Sequence, residues 1–313
     1  MKLALAGDTM LGRKVAERLE SDPPDALLSP ELVEVVHEAD FCLLNLECCI
    51  SERGRRVPGR VFHFRAPPIA VEVLTQLGVD CVTLANNHAL DYGPEALADT
   101  LRHLHAAGIA CVGAGAEVAS ARDPAVVVKR GFRLGIVGVT DHPQEYAAER
   151  DRPGVAFADL ARDGVPDWLT RTVGSIDADA VVVTPHWGPN MQSEPVEHVC
   201  AAAPVLLDAG ATLIAGHSAH VFHGVTPRVL WDLGDFLDDY AVDAQLRNDL
   251  GLLFLVDLDG DRLEGVPLKL EYTYTRLADG DDAEWIARRF VDACAAFGVE
   301  AAVEDDRLVT TWR

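Results

Sequence analysis

The chain has 313 residues, roughly two average domains or one large α/β domain, and 49% of them are hydrophobic, enough to bury a large core. Its 27 Lys and Arg against 50 Asp and Glu leave a formal net charge of −23, which argues against nucleic acid or an anionic membrane as a main partner. No apolar run is long enough to span a membrane, and Met1 leads straight into an apolar strand with no basic leader before it, so the expected location is cytoplasmic.

The first element is the run KLALA, which ends in Gly7-Asp8. An amphipathic stretch, Gly12–Leu19, follows. The run FCLLNL reads as a second buried strand and ends in Asn45-Leu46-Glu47. Ser51–His63 is the most basic segment of this acidic chain, with Arg53, Arg55, Arg56 and Arg60 directly after Glu47. It reads either as a solvated loop or as a flap that binds a carboxylate or phosphate beside a site. Pro67–Leu77 reads as a helix before the strand Cys81–Ala85, which ends in Asn86-Asn87-His88. Pro94–Ala107 is helical, with Ala96, Leu97, Leu101 and Leu104 at helix spacing.

Three β-rich runs come next, Ile109–Val112, Ala125–Val128 and Leu134–Val139. The run AVVVT ends in Pro185-His186-Trp187. A helix over Val196–Ala209 leads into ATLIA and the cluster Gly216-His217-Ser218-Ala219-His220. Val229–Leu233, Leu252–Leu258 and Val266–Tyr272 resemble antiparallel strands, and a last helix spans Asp282–Phe297. With no repeat and no clear linker, the expectation is one domain over 1–313, two packed sheets with helices outside. Its part from about 241 to 313 is expected to complete the second sheet and add the terminal helix. The seven cysteines form no CxxC pair and are expected to be reduced.

Five polar clusters therefore sit at the ends of five apolar runs. In an open parallel sheet, ligands bind at the strand carboxyl ends. The same fold element, used five times, brings Asp, Glu, Asn and His to one rim, a donor mix that suits a divalent metal. Each residue also has a plainer reading. Asp8 could cap a helix, Glu47 could be solvated, and Asn86 and Asn87 could be turn residues. His186 could be a packed core histidine beside Trp187, and Cys48 a small buried hydrophobe rather than a thiol facing the site. His142, after Leu134–Val139, is a further rim position. His88 and Asp91 lie three apart, and an Asp behind a histidine fixes its tautomer and stabilises the imidazolium. A second pair joins His220 or His217 to Asp235 or Asp8. Two such pairs across a metal-anchored site suit proton removal from one face and delivery to the other.

The order GD…NLE…NNHALDYG…HWG…GHSAHV…LGDF resembles the poly-γ-glutamate capsule biosynthesis (CapA) family of the calcineurin-like metallophosphoesterase superfamily. Gly113-Ala114-Gly115 with Ala121-Arg122-Asp123-Pro124 extends the similarity, which covers roughly Met1 to Tyr240. The resemblance implies an α/β fold, the calcineurin-like four-layer α/β/β/α sandwich, with a metal site at strand ends. It implies Asp8 and Glu47 as acidic ligands, Asn87 as an amide ligand, His186 and one histidine of Gly216–His220, with His217 placed first, as imidazole ligands, and His88 as the acid–base histidine. The chain departs from the superfamily pattern in three places. Thr9-Met10 follow Asp8 where Asp-x-His is usual, Glu47 replaces an Asp, and His217 and His220 are three apart with Ser218 between. One ion is therefore expected rather than two. The carboxylates favour Ca, Mg or Mn, and the imidazoles allow Zn, Fe or Mn.

The reading placed first is metal-dependent Cα epimerisation of a ribosomally made, lasso-type precursor peptide, an activity that the resemblance associates with a soluble branch of such proteins. His88, Asp91, His220, Asp8 and Asp235 would carry the protons. Cys48, Arg56, His142 and Trp187 are expected to contact the peptide or polyglutamate-like substrate. The alternatives are hydrolysis of a phosphoester or a poly-γ-glutamate-type amide, and non-catalytic polyglutamate binding.

Overall fold

The computed structural model describes residues 1–313. Two sheets dominate it. The first runs in the order Ala302–Glu304, Arg307–Thr311, Arg262–Glu271, Leu250–Asp257, Lys2–Thr9, Phe41–Leu46, Cys81–Thr83, Ala110–Val112. Asp235–Leu237 adds to the end of Lys2–Thr9, and Tyr274–Leu277 to Arg262–Glu271. The second sheet runs Val225–Thr226, Val229–Leu230, Leu213–Ala215, Ala180–His186, Phe132–Thr140, Ala125–Lys129.

The apolar runs are continuous because both faces of their strands are covered. Alternate residues go to opposite sides. Leu3, Leu5, Phe41 and Leu43 enter a core shared with Leu134, Ile136, Ala180 and Val182 of the other sheet. Ala4, Ala6, Cys42 and Leu44 face the other way, onto helical residues such as Val15, Leu32, Leu74 and Leu97. Val137, Val139, Val181 and Val183 likewise face Leu169, Val199 and Leu206 of two outer helices. The layers are therefore helix, sheet, sheet, helix, the calcineurin-like α/β/β/α sandwich that the motifs imply.

Residues 241–313, expected in the second sheet, instead build five of the ten strands of the first. The reason is register: Leu250–Asp257 pairs antiparallel with Lys2–Thr9, from Lys2 against Asp257 to Leu5 against Phe254. The terminal helix Gly280–Ala296 sends Ile286, Phe290 and Cys294, one helical stripe, into the core between the sheets. No helix is long and apolar enough to cross a membrane.

The parallel halves of both sheets fix the site. Lys2–Thr9, Phe41–Leu46 and Cys81–Thr83 run in the same direction, as do Phe132–Thr140, Ala180–His186 and Leu213–Ala215. Each set delivers its polar clusters to one rim.

The far end of the first sheet is tied by charge. Arg307 bonds to Glu264 at 2.6 Å and Glu38 at 2.5 Å, Arg262 bonds to Glu264 at 2.6 Å, and Lys2 stands 3.6 Å from Glu264. Burial pushes the Glu264 carboxyl up, but hydrogen bonds from Arg262 and Arg307 outweigh it and hold the group at about 2. A carboxyl depressed on folding stabilises above its unfolded pKa and loses that contribution as pH falls toward its folded one. Glu264→Gln is therefore expected to cost about 1 kcal/mol at pH 7, a gap that closes between about pH 4.5 and pH 2. Urea midpoints across that range measure it. A gap that stays constant down to pH 2 contradicts the assignment.

Candidate metal centre and flanking histidine–aspartate pairs

A ladder of side-chain amides links three strand ends. Asp8 is fully buried, and its Oδ1 accepts from Asn45 Nδ2 at 2.7 Å. Asn45 Oδ1 accepts from Asn86 Nδ2 at 2.9 Å, and Asn86 Nδ2 also donates to the Leu46 carbonyl at 2.8 Å. Asn86 Oδ1 in turn accepts from the His88 amide at 3.0 Å. The backbone fits just as closely: Asp8 N donates to the Gly234 carbonyl at 2.9 Å, and any Cβ at Gly7 would collide with that oxygen.

The ladder leaves a set of buried donors facing one another. Two groups bring their ligand atoms within 4.8 Å: Asp8 with His186 and His217, and Asp8 with Glu47 and His220. His186 Nδ1 lies 2.8 Å from His217 Nδ1, and Asp8 Oδ1 lies 3.6 Å from His217 Nδ1. Asp8 Oδ2, Glu47 Oε1, Asn87 Oδ1, His186 Nε2 and Asp235 Oδ2 are buried without a hydrogen-bond partner. A buried polar atom left unsatisfied costs on the order of 1–3 kcal/mol, more when charged. Asp8, Glu47 and His186 among them belong to the two donor groups, and their open atoms call for a shared partner. Burial raises the Asp8 carboxyl, and burial together with Asp8 raises Glu47 well above the carboxylate range. Burial and His142 push His217 down to about 3, and burial with His217 lowers His186 strongly. Carboxylates short of positive charge beside imidazoles held neutral form the environment that a divalent cation relieves. The oxygen and nitrogen donors fit such an ion.

Two histidine–aspartate pairs flank this cluster. His88 Nδ1 meets Asp91 Oδ2 at 2.6 Å. Asp91 is also held by the Phe64 amide at 2.8 Å, the Tyr146 hydroxyl at 3.1 Å and Arg60 at 3.4 Å. The Phe64 ring stacks on His88 at 3.9 Å. Burial lowers the His88 pKa against the opposing pull of Asp91. His220 Nδ1 meets Asp235 Oδ1 at 2.8 Å and Asp8 Oδ2 at 3.3 Å. For His220, burial acts downward, but Glu47 and Asp8 prevail and raise it. Ser218 and His220 hold φ of 123° and 61°, left-handed conformations that non-glycine residues avoid. Such strain persists where the surroundings over-determine it. Asp232 supplies part of that constraint, accepting from Ala219 N at 2.8 Å and Gly234 N at 2.9 Å. His88 and His220 both line a cavity of about 250 Å³, together with Phe64 and Tyr240.

The other expected contacts fall differently. His142 sits at the rim, its ring 5.1 Å from His186 and its Nδ1 2.5 Å from Asp141. Cys48 is wholly buried in the helix-facing core of the first sheet, where burial pushes its thiol up, so it does not face the cavity. Trp187 is packed on Trp231 and donates to its carbonyl at 3.0 Å, a core contact rather than a substrate contact. Arg56 points to the Tyr92 hydroxyl at 3.1 Å and does not line the cavity. Sequence reasoning missed Tyr240, whose hydroxyl donates to Glu47 Oε2 at 3.2 Å, and Asn190, 3.0 Å from His220 Nε2. Arg60, expected within a solvated loop or a basic flap, donates to the Asn87 carbonyl at 2.8 Å. Tyr240 closes the stretch LGDFLDDY and could have been read from it. Asn190 carries no such signal.

The family described as "Bacterial capsule synthesis protein PGA_cap" matches residues 2–240. A "Probable polyglutamine synthesis accessory protein" of Mycobacterium tuberculosis is 33% identical over 292 residues, covering 86% of this chain and 76% of that protein. The "PGA biosynthesis protein CapA" of Bacillus subtilis is 28% identical, covering 76% of this chain and 63% of its own length. Among solved structures, a 5'-nucleotidase precursor from Thermus thermophilus aligns over 95% of this chain and 59% of its own, at 18% identity and a TM-score of 0.41.

The donor set predicts a thermal response. Protein stripped by chelator is expected to gain several degrees in Tm when Mn²⁺ or Zn²⁺ is added, since an ion that binds only the folded state stabilises it by mass action. His186→Ala and Glu47→Gln should each abolish most of that gain. Equal gains in wild type and both variants would show that the ion binds elsewhere.

Proposed function

The chain belongs to the bacterial capsule synthesis protein family, and we propose that it is a metal-dependent acid–base enzyme that moves a proton at the Cα of a peptide substrate. One observation carries this reading: His88–Asp91 and His220–Asp235 both open onto a single cavity beside the Asp8 donor cluster. Each Asp binds the Nδ1 side of its imidazole, which makes Nε2 the working nitrogen; at His220 that nitrogen is held by Asn190 at 3.0 Å, a contact that the substrate would displace. One imidazole would take the Cα proton while the other returns a proton to the opposite face, inverting the centre with no net consumption of protons. Asp91, fixed by Phe64, Tyr146 and Arg60, keeps His88 in one orientation. A divalent ion held by Asp8, Glu47, Asn87, His186 and His217 would polarise the adjoining carbonyl or carboxylate and so acidify the Cα proton.

The names of the relatives associate them with polyglutamine and poly-γ-glutamate synthesis. A glutamyl peptide is therefore the substrate to test beside a lasso-type precursor. A second reading, metal-dependent hydrolysis, draws on a different observation. Asp8 belongs to both donor groups, an arrangement in which one carboxylate could bridge two ions. Two-metal sites suit displacement at phosphorus or at an amide.

Mass spectrometry of candidate peptides incubated in D₂O with Mn²⁺-supplemented protein separates the two. Cα deuterium uptake is expected with wild type, and His88→Ala should reduce it by about 10²-fold or more while leaving peptide affinity largely intact. Uptake that survives His88→Ala contradicts the proposal. Release of glutamate or phosphate without exchange favours the second reading.

A further inference from the structure

The cavity shared by His88 and His220 has a cationic wall that the proton-transfer scheme leaves unused. Arg13, the first residue of the helix Arg13–Leu19, holds φ 50°, a left-handed conformation strained for a side chain of its size. Its Nε pairs with buried Asp239 at 3.2 Å, and the side chain keeps 35% of its surface exposed. The guanidinium carbon lies 5.5 Å from the Phe62 ring centre, 5.6 Å from Phe64 and 6.0 Å from Tyr240. Two of these rings also touch the histidines: Phe64 stacks on His88 at 3.9 Å, and Tyr240 meets His220 at 5.2 Å. Arg13 is thus one aromatic ring away from each imidazole.

Neighbouring arginines are engaged elsewhere. Arg53 pairs with Asp99, and Arg60 with Asp91 and the Asn87 carbonyl. Arg13 is the one arginine or lysine among the residues that line the cavity, in a chain whose net charge is −23. The ion pair through Nε orients the fork, and the two terminal nitrogens make no hydrogen bond within the protein.

We propose that Arg13 binds a carboxylate of the substrate, which makes this cavity a subsite for a carboxylate-bearing peptide. The inference rests on the reading of the substrate as a peptide. A guanidinium fork matches a carboxylate through two parallel hydrogen bonds. Phe64 and Tyr240 give a flat apolar floor to the chain between that carboxylate and the reacting carbon. Phe62, 56% exposed at the mouth, offers a surface for the next residue of the peptide. A side-chain-like carboxylate within a γ-linked glutamyl chain and the C-terminal carboxylate of an α-linked peptide share this chemistry.

Calorimetric titration of the full, Mn²⁺-supplemented chain tests the proposal with two matched probe pairs. The first is a γ-linked glutamate pentapeptide with free α-carboxylates against the same peptide with α-carboxamides. The second is Gly-Gly-Phe with a free against an amidated C-terminus. Wild type is expected to bind at least one acid about ten-fold or more tightly than its amide, and the pair that shows this identifies the source of the carboxylate. Arg13→Gln should remove the difference, and Arg13→Lys should keep part of it. Should Arg13→Gln fail to fold, Arg13→Lys and the acid–amide comparison on wild type still decide. Acid and amide that bind wild type alike, no binding of either acid, or an acid affinity unchanged within two-fold in Arg13→Gln would overturn the proposal. A wild type that shows no acid–amide difference while its Cα exchange still depends on His88 removes the Arg13 subsite alone. Exchange that survives His88→Ala removes the acid–base reading alone.

Discussion

Everything at this site depends on burying Asp8 with Oδ1 held by Asn45 and Oδ2 without a hydrogen bond, 3.3 Å from His220 Nδ1. Asn45 takes Oδ1, Asn86 fixes Asn45, and the chain of amides ends on the backbone of His88. The ladder ties the ends of three neighbouring strands into one rigid unit. It also sets Asp8 beside Glu47 and His186, which likewise leave atoms without partners. In a low-dielectric interior such atoms are costly unless a charge joins them. Burial raises the Asp8 and Glu47 carboxyls, while burial and neighbouring imidazoles lower His186 and His217, so the donors face one another with little charge of their own.

The sandwich makes the arrangement possible because each sheet contributes half of it. Asp8, Glu47, Asn87 and His88 come from the first sheet, His186, His217 and His220 from the second. The interlocked leucines, valines and phenylalanines between the sheets hold those halves in register. Close-packed interiors resist small displacements, so donors from separate sheets can meet within hydrogen-bonding distance. The antiparallel C-terminal strands extend the first sheet away from the rim, and the terminal helix seals the end of the shared core.

Much of this was legible in the sequence, for a physical reason. Strands buried on both faces read as continuous apolar runs, so a polar residue at the end of each run stands out and marks a carboxyl end. The runs ending in Asp8, Asn45, Asn86, His186 and His217 could be found that way. Helices with clear periodicity, such as Pro94–Ala106, were equally readable. The helix Pro30–Val36 gives only a weak signal, although Ser29 caps it through the Leu32 amide and Pro30 opens it. Seven residues offer too little periodicity to stand out. What could not be read was long-range. Nothing local tells Arg56 from Arg60, yet one reaches Tyr92 and the other the His88–Asp91 pair. Trp187 looks like a ligand-facing aromatic until its partner, Trp231, is placed beneath it. Asp235, Asp238 and Asp239 sit in one short stretch, but only the fold sends Asp235 to His220 and Asp239 to Arg13.

The claim that carries the rest is that the Asp8 donor cluster holds a divalent ion in the working protein. Elemental mass spectrometry of wild-type chain, equilibrated with Mn²⁺, Zn²⁺, Fe²⁺, Mg²⁺ and Ca²⁺ and freed of excess, measures it directly as ions per chain. The account predicts one tightly held ion, lost in Asp8→Asn. Protein that retains none of the five ions, or retains the same amount after Asp8→Asn, contradicts it.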